Sequence, residues 1–172
     1  MERNYFLKTN RIGFSRWTSH DLPLAITLWS NPQVTKYIAS HGIMNKEDIE
    51  KRLVTEIENN QKYDVQYWPV FQLATNQLMG CCGLRPHEQG YELGFHFLPQ
   101  FWHQGYGYEA ASAVIEYAFS ILETDVLFAG HHPKNKASQN LLNKLNFQYI
   151  KDEYYQPTGL YHPLYQLQKE PK

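Results

Sequence analysis

Apolar positions change their period several times along the chain, and each change predicts an element. Partial alternation over Arg11 to Thr18 (RIGFSRWT) predicts a first strand. Leu22, Ala25, Ile26 and Trp29 then fall at the i, i+3, i+4, i+7 spacing of one helix face, with Ser19 placed to cap it. Asn31-Pro32 ends that helix, and a short further turn is expected through Tyr37. Asn45 caps a second helix from Lys46 to Asn59, with Glu47 and Asp48 in its first turn, and its polarity predicts an outside position. From Tyr63 the period becomes two. YDVQYWPVFQLA, LMGCCGL and YELGFHFL read as three strands joined by tight turns, an antiparallel meander. Gly105 to Ser120 returns to helix, with Ala111, Val114, Ile115, Ala118 and Phe119 on one face. Asp125 to Ala129 is one more strand, so strand, helix, strand predicts a locally parallel pair. Asn135 to Leu145 is a further helix with Leu141, Leu142 and Leu145 facing inward, and Phe147 to Ile150 and Leu160 to Leu167 are closing strands.

Composition narrows the class. A length of 172 residues without repeat or linker predicts one domain, 1–172. Hydrophobic residues at 42%, with 13 Tyr, 9 Phe and 4 Trp, supply enough apolar surface to offset chain entropy, which excludes disorder for most of the length. Sixteen basic against 17 acidic residues, scattered, leave no footprint for a phosphate backbone, so no nucleic-acid partner is expected. Apolar runs are far shorter than the ~20 residues that span a bilayer, and Met1-Glu2-Arg3-Asn4 does not open a signal peptide. The two cysteines, Cys81 and Cys82, are adjacent, a poor geometry for a structural disulfide; a cytoplasmic location is expected, with no membrane partner.

Tyr91 to Ala110 carries the most chemistry: a strand runs into Pro99, then into Gly105-Tyr106-Gly107, then directly into a helix. Glycines open backbone conformations closed to other residues, and free N–H groups at a helix start favour an anion such as a pyrophosphate. A plain tight turn would use the same two glycines. Gly105-x-Gly107-x-x-Ala110 also satisfies the dinucleotide fingerprint G-x-G-x-x-A. A dinucleotide site, however, needs an acidic residue at the carboxyl end of the next strand, and Glu123 and Asp125 lie before or at its start.

Glu92, Gly94, Phe95, Phe97, Pro99, Phe101, Trp102, Gly105, Tyr106, Gly107, Glu109 and Ala110, in that spacing, resemble the GNAT superfamily of acyl-CoA-dependent N-acetyltransferases, in particular its branch of ribosomal-protein N-terminal acetyltransferases of the RimJ/RimL type. Asn135, Ser138, Leu141, Lys144, Leu145 and Phe147 resemble a second signature, and Trp29 to Tyr37 the branch's first helix and its exit. The chain departs at His103 and Asn146, where the branch has glycine, and at Leu142, where many members place a tyrosine acid. The resemblance implies a mixed α/β (α+β) GNAT fold: a mostly antiparallel sheet of six to seven strands, a central splayed parallel pair (Tyr91–Leu98 and Asp125–Ala129) and about four helices.

It further implies acetyl-CoA as co-substrate, its pyrophosphate on the N–H groups of Gln104, Gly105, Tyr106, Gly107 and Tyr108, without basic side chains from the loop. The pantetheine arm would pair with the backbone of Phe97 and Leu98, one N–H of which would polarise the thioester carbonyl, and Asn135 and Ser138 would bind from the other side. Glu92 is the expected general base, with Gly94 leaving space beside it; His96 shares its face and is a rival base. Ser138 would stabilise the departing thiolate in place of the missing tyrosine. The implied reaction is direct attack by a primary amine, on a small molecule or a protein N-terminus. A non-catalytic acyl-CoA-binding or sensing domain is the alternative, and a dinucleotide-binding domain a more distant one. Monomer and homodimer both stay open. No metal is expected, because His131-His132 lacks a ligand spacing. Cys81-Cys82 is read as strand packing with one side chain in and one out, and Tyr63, Tyr67, Trp68, Tyr154, Tyr155 and Tyr161 as strand aromatics able to line an acceptor pocket.

Overall fold

A computed structural model describes residues 2–172 of the chain. β1 (Leu7–Lys8) and β2 (Ile12–Phe14) form a short hairpin, followed by α1 (Leu22–Trp29), α2 (Pro32–Thr35) and α3 (Lys46–Tyr63). β3 (Tyr67–Gln72), β4 (Leu78–His87) and β5 (Gly90–Phe97) make the meander; α4 (Tyr106–Ser120), β6 (Val126–Gly130), α5 (Lys136–Lys144), β7 (Gln148–Tyr155) and β8 (Leu160–Gln168) complete the chain. One sheet runs β1-β2-β3-β4-β5-β6-β8-β7, antiparallel everywhere except between β5 and β6. This is the mixed, mostly antiparallel architecture with a parallel pair that the sequence predicts.

The differences are local. Eight strands form because residues 7–8 add a hairpin partner to β2, and the four-residue α2 brings the helices to five. Its cap is the Asn31 side chain, which accepts from the Gln33 N–H. The expected first strand stops at Phe14, and Ser19 does not cap α1: it sits inside a 3₁₀ turn, Ser19–Asp21, held by the Asp21 carboxylate accepting from the Thr18 N–H at 2.8 Å. α3 lies on the outside, as its polarity predicts, but turns one stripe inward. Ile49, Leu53 and Glu56 recur at i, i+4 and i+7 and are buried, so a carboxylate occupies the helix's apolar stripe.

β4 is covered on both faces, which overturns the one-in, one-out reading of its cysteines: Cys81 and Cys82 are both fully buried. Cys81 faces the side roofed by Trp29 and α3; Cys82 faces the opposite side, where α4 packs with Ala110, Ala111, Val114 and Ala118. Burying a large apolar side chain is worth ~1.5–3 kcal/mol, and the fully enclosed Trp29, Trp68, Phe14 and Leu84 tie both layers to the sheet. Asn146 after α5 has φ +66°, a left-handed conformation that asparagine tolerates better than most residues.

Candidate active site

The site begins where two strands part. β5 and β6 are paired only at Tyr91–Leu127 and Glu92–Phe128, so beyond Glu92 the main chain of β5 faces a gap. The Leu98 N–H donates to the Met79 carbonyl at 2.8 Å. Antiparallel ladders alternate, so the Phe97 N–H and C=O point away from β4, toward the gap. The Phe97 carbonyl accepts from the Trp102 indole N–H at 2.8 Å. That bond gives Trp102 a role and leaves the Phe97 N–H as the open donor. Leu98, buried and already bonded, offers the gap no N–H; the expectation that it shares the pairing is corrected by ladder parity.

Past the 3₁₀ turn at Pro99–Phe101 the chain enters the glycine turn. His103 (φ +60°) and Gly105 (φ +81°) are left-handed, and alternating helical and left-handed residues turn successive N–H groups the same way, into an anion nest. Among the described residues no backbone hydrogen bond starts from the N–H of His103, Gln104, Gly105, Tyr106, Gly107 or Tyr108; the ladder of α4 begins with Glu109 donating to Gly105. Six successive free donors at a helix head fit a pyrophosphate. His103 takes a conformation that favours glycine, as the branch has there. A Cβ on Gly107 would lie 3.2 Å from Leu141 Cδ2, so the turn packs closely against α5.

Arg11, which sequence reasoning passed over, braces this loop. Its Nε lies 2.7 Å from Glu109 Oε2, both terminal nitrogens donate to the Gln104 carbonyl at 3.1 Å, and its guanidinium lies 4.0 Å above the Tyr106 ring. Arg11 and Thr9 hydrogen bonds hold the Glu109 carboxyl below its ordinary range against a partial desolvation that raises it. Lys134 and Lys136 line the same cavity beside Asn135, so basic side chains do stand near the nest. Asn135 caps α5, its Oδ1 accepting from the Ser138 N–H at 3.2 Å. The Ser138 hydroxyl makes no protein hydrogen bond among the described residues, and Ser138 lines the cavity; Leu142, at the tyrosine position, is in the core. Gly105, Tyr106, Gly107 and Phe97 also line the cavity; Gln104 and Tyr108 are exposed on the turn, and the Tyr108 ring faces Lys144.

The cavity has a volume of about 970 Å³ and continues onto the other face of β5. Glu92 stands there without a hydrogen bond or ion pair among the described residues, and desolvation raises its carboxyl above the ordinary range, against the lowering effect of the nearby Arg85 charge. Gly94 does not leave room beside it, as expected, but receives the Tyr67 ring, which a Cβ there would strike. Tyr67 carries Arg85 stacked at 4.2 Å. Glu56, fully buried, accepts from Arg52 Nε (3.0 Å) and Arg85 Nη2 (2.9 Å) on one oxygen and from the Tyr67 N–H (2.8 Å) on the other. One carboxylate thus pins two guanidiniums that both line the cavity.

His96 is not a competing base. Its Nε2 is 2.8 Å from Trp29 Nε1, a nitrogen that can only donate. The imidazole proton therefore sits on Nδ1, and no lone pair is left for an amine. Burial first, then the charges of Arg52 and Arg85, keep the ring neutral well below the usual histidine range. Cys81 Sγ lies 3.0 Å from the same Nε2, but burial pushes its thiol far up, which is the opposite of an activated nucleophile. His131 and His132 are engaged locally, with Tyr165 and the His132 carbonyl and with the Lys134 N–H respectively; no group of three metal-ligating side chains occurs among the described residues. Of the aromatics expected on strands, Tyr67, Tyr154 and Tyr155 line the cavity, Trp68 is core, Tyr161 lies outside it, and Tyr63 is not on a strand but is the last residue of α3, because β3 starts only at Tyr67.

The acetyltransferase (GNAT) domain family matches residues 11–148, most of the chain, and takes in both the splayed strands and the glycine turn; the chain belongs to this family. An N-acetyltransferase of Bacillus subtilis, YoaA, itself uncharacterized, is 29% identical over 150 residues, 83% of this chain and 82% of the relative. An acetyltransferase of the GNAT family from Bacillus anthracis superposes with a TM-score of 0.79 at 22% identity, covering 94% of this chain and 97% of the other. The ribosomal L7/L12 alpha-N-protein acetyltransferase RimL, solved in complex with coenzyme A, superposes with a TM-score of 0.80 at 13% identity, covering 96% and 98%. At these identities the structural likeness concerns the fold.

Proposed function

We propose that the chain is one functional domain, an acetyl-CoA-dependent N-acetyltransferase acting on a primary amine by direct attack. The observation that carries this reading is a desolvated, hydrogen-bond-free carboxylate, Glu92, on the strand whose next open N–H groups face the gap beside a six-donor anion nest. Bound acetyl-CoA supplies the acetyl group as an activated thioester. The nest residues from Gln104 to Tyr108, with Asn135, hold its diphosphate and arm, and the Phe97 N–H donates to the thioester carbonyl oxygen, a contact whose loss costs ~10²–10³ in turnover. Glu92 takes the proton the amine gives up as the new N–C bond forms and the C–S bond breaks. Ser138 donates a hydrogen bond to the sulfur, which leaves as the thiol of CoA with one proton regained. That RimL, a protein of the same fold, was solved in complex with coenzyme A supports a coenzyme A ligand here, and the RimJ/RimL-type signature supports that branch. No helix among the described residues is long and apolar enough to cross a membrane, in keeping with work in the cytoplasm.

The test has two arms. Acetyl-CoA at a hundredfold excess over its dissociation constant stabilises the fold by ~2.7 kcal/mol, and NAD does nothing; the reverse result restores the dinucleotide reading. Thiol release from acetyl-CoA is then followed over a panel of amines for the native chain, Glu92→Gln and Ser138→Ala. Acetyl-CoA binding with no release from any amine converts the protein into an acyl-CoA sensor.

A further inference from the structure

On the reading above, we propose that the acceptor is an amine carrying a carboxylate within a few bonds of its nitrogen, an amino acid rather than a protein N-terminus. Arg52 and Arg85 share the single carboxylate of Glu56: Arg52 spends its Nε there and Arg85 one terminal nitrogen. The remaining N–H groups of both side chains find no acceptor among the described residues, and Arg85 Nε is buried without a partner. A guanidinium offers five donors in a planar fork; apart from the buried Arg85 Nε, the terminal N–H groups not spent on Glu56 are accessible and free to meet a ligand. Both residues line the cavity, and both guanidiniums lie over the Tyr67 ring, 4.2 and 5.6 Å from its centroid.

Register sets the spacing. Arg85 and Glu92 are directly opposite on β4 and β5, with side chains on the same face. The group that accepts the amine's proton and the fork that would hold an anion are therefore immediate neighbours. Positive fork beside negative carboxylate is the complement of a zwitterion whose ammonium and carboxylate are separated by one to three carbon atoms. The N-terminal residue of a protein has an amide carbonyl at that place, and a neutral carbonyl does not neutralise two cationic forks. Carboxylates bind such forks through two parallel hydrogen bonds.

The experiment compares amino acids with their own carboxamides, and with short peptides. Binding is read by calorimetry on the protein saturated with CoA, and acetylation by thiol release in separate assays supplied with acetyl-CoA. The acid form is expected to bind about tenfold to a hundredfold more tightly than its amide. Arg85→Met is expected to erase the difference and Arg85→Lys to restore part of it; Arg52→Met is the second variant, each checked for folding by circular dichroism. Equal binding of acid and amide, a preference that survives both methionine variants, or peptides preferred over free amino acids each overturns the proposal. Acid-selective binding without thiol release upholds the anion fork and overturns acetyl transfer; thiol release without acid selectivity does the reverse.

Discussion

The two halves of the cavity are built from different material. The half that faces the nest is made of main chain: consecutive N–H groups from His103 to Tyr108, and the Phe97 N–H beside the gap. The half around Glu92 is made of side chains that come from five separate elements: Trp29 of α1, Arg52 and Glu56 of α3, Tyr67 of β3, Arg85 of β4 and Glu92 and His96 of β5. A backbone site needs a short run of residues with special φ values, so it leaves a contiguous trace in sequence. A side-chain site assembled over long separations leaves none, and its parts can be exchanged one by one.

Substitutions can pull the halves apart. Glu92→Gln is expected to lower acetyl transfer by ~10²–10⁴ with little change in acetyl-CoA binding. The same change raises stability. Desolvation holds the folded carboxyl above its unfolded value, so the ionised form is the disfavoured one: the variant melts higher at pH 7 to 8, and the gain vanishes below about pH 4, where the native side chain is neutral in both states. Thermal melts across pH, run beside thiol-release kinetics, show whether both follow. Glu56→Gln strips two guanidiniums of their buried anion and is expected to cost about 3–5 kcal/mol in denaturant unfolding. A loss below 1 kcal/mol would mean that the pair is hydrated and the acceptor half loosely held.

Gly107→Val attacks the other half. Its branched side chain meets Leu141, and overpacking of about 1–3 kcal/mol should appear as a roughly tenfold or greater rise in KM for acetyl-CoA with the acceptor KM unchanged. Arg11→Met removes the brace on Gln104 and Glu109; because this pair is partly exposed, about a fivefold rise in the same KM is the expected ceiling. The smallest effect is global. His96, His131, His132 and His162 all sit below their ordinary range, so the unfolded chain binds protons first, and the melting temperature should decline as pH falls below about 6.5. Glu92 works against this over part of that range; the decline should therefore be steeper in Glu92→Gln.

Most of the architecture was legible because periodicity reports it directly. The meander, the parallel step into β6 and the helix after Gly107 each follow from a change of period. The outside position of α3 was read from its polarity, but its inward stripe was missed, although the signal was present: Ile49, Leu53 and Glu56 make a stripe in which a carboxylate stands where an apolar residue would complete the pattern. Arg11 was invisible because its partners are nearly a hundred residues away. Likewise the void expected beside Gly94 is filled by a ring from β3, a contact that register creates and composition cannot announce. The lone pair of His96 is occupied by one indole N–H from α1, again a matter of tertiary packing.

Two free thiols sealed on opposite faces of β4 have a practical consequence. Neither can meet a water-soluble alkylating reagent while the strand is in place, so the rate of modification becomes a clock for how often the middle of the sheet comes apart. Ligands filling either half of the cavity should slow that clock, and the native chain thus carries its own footprinting probe, with no label added.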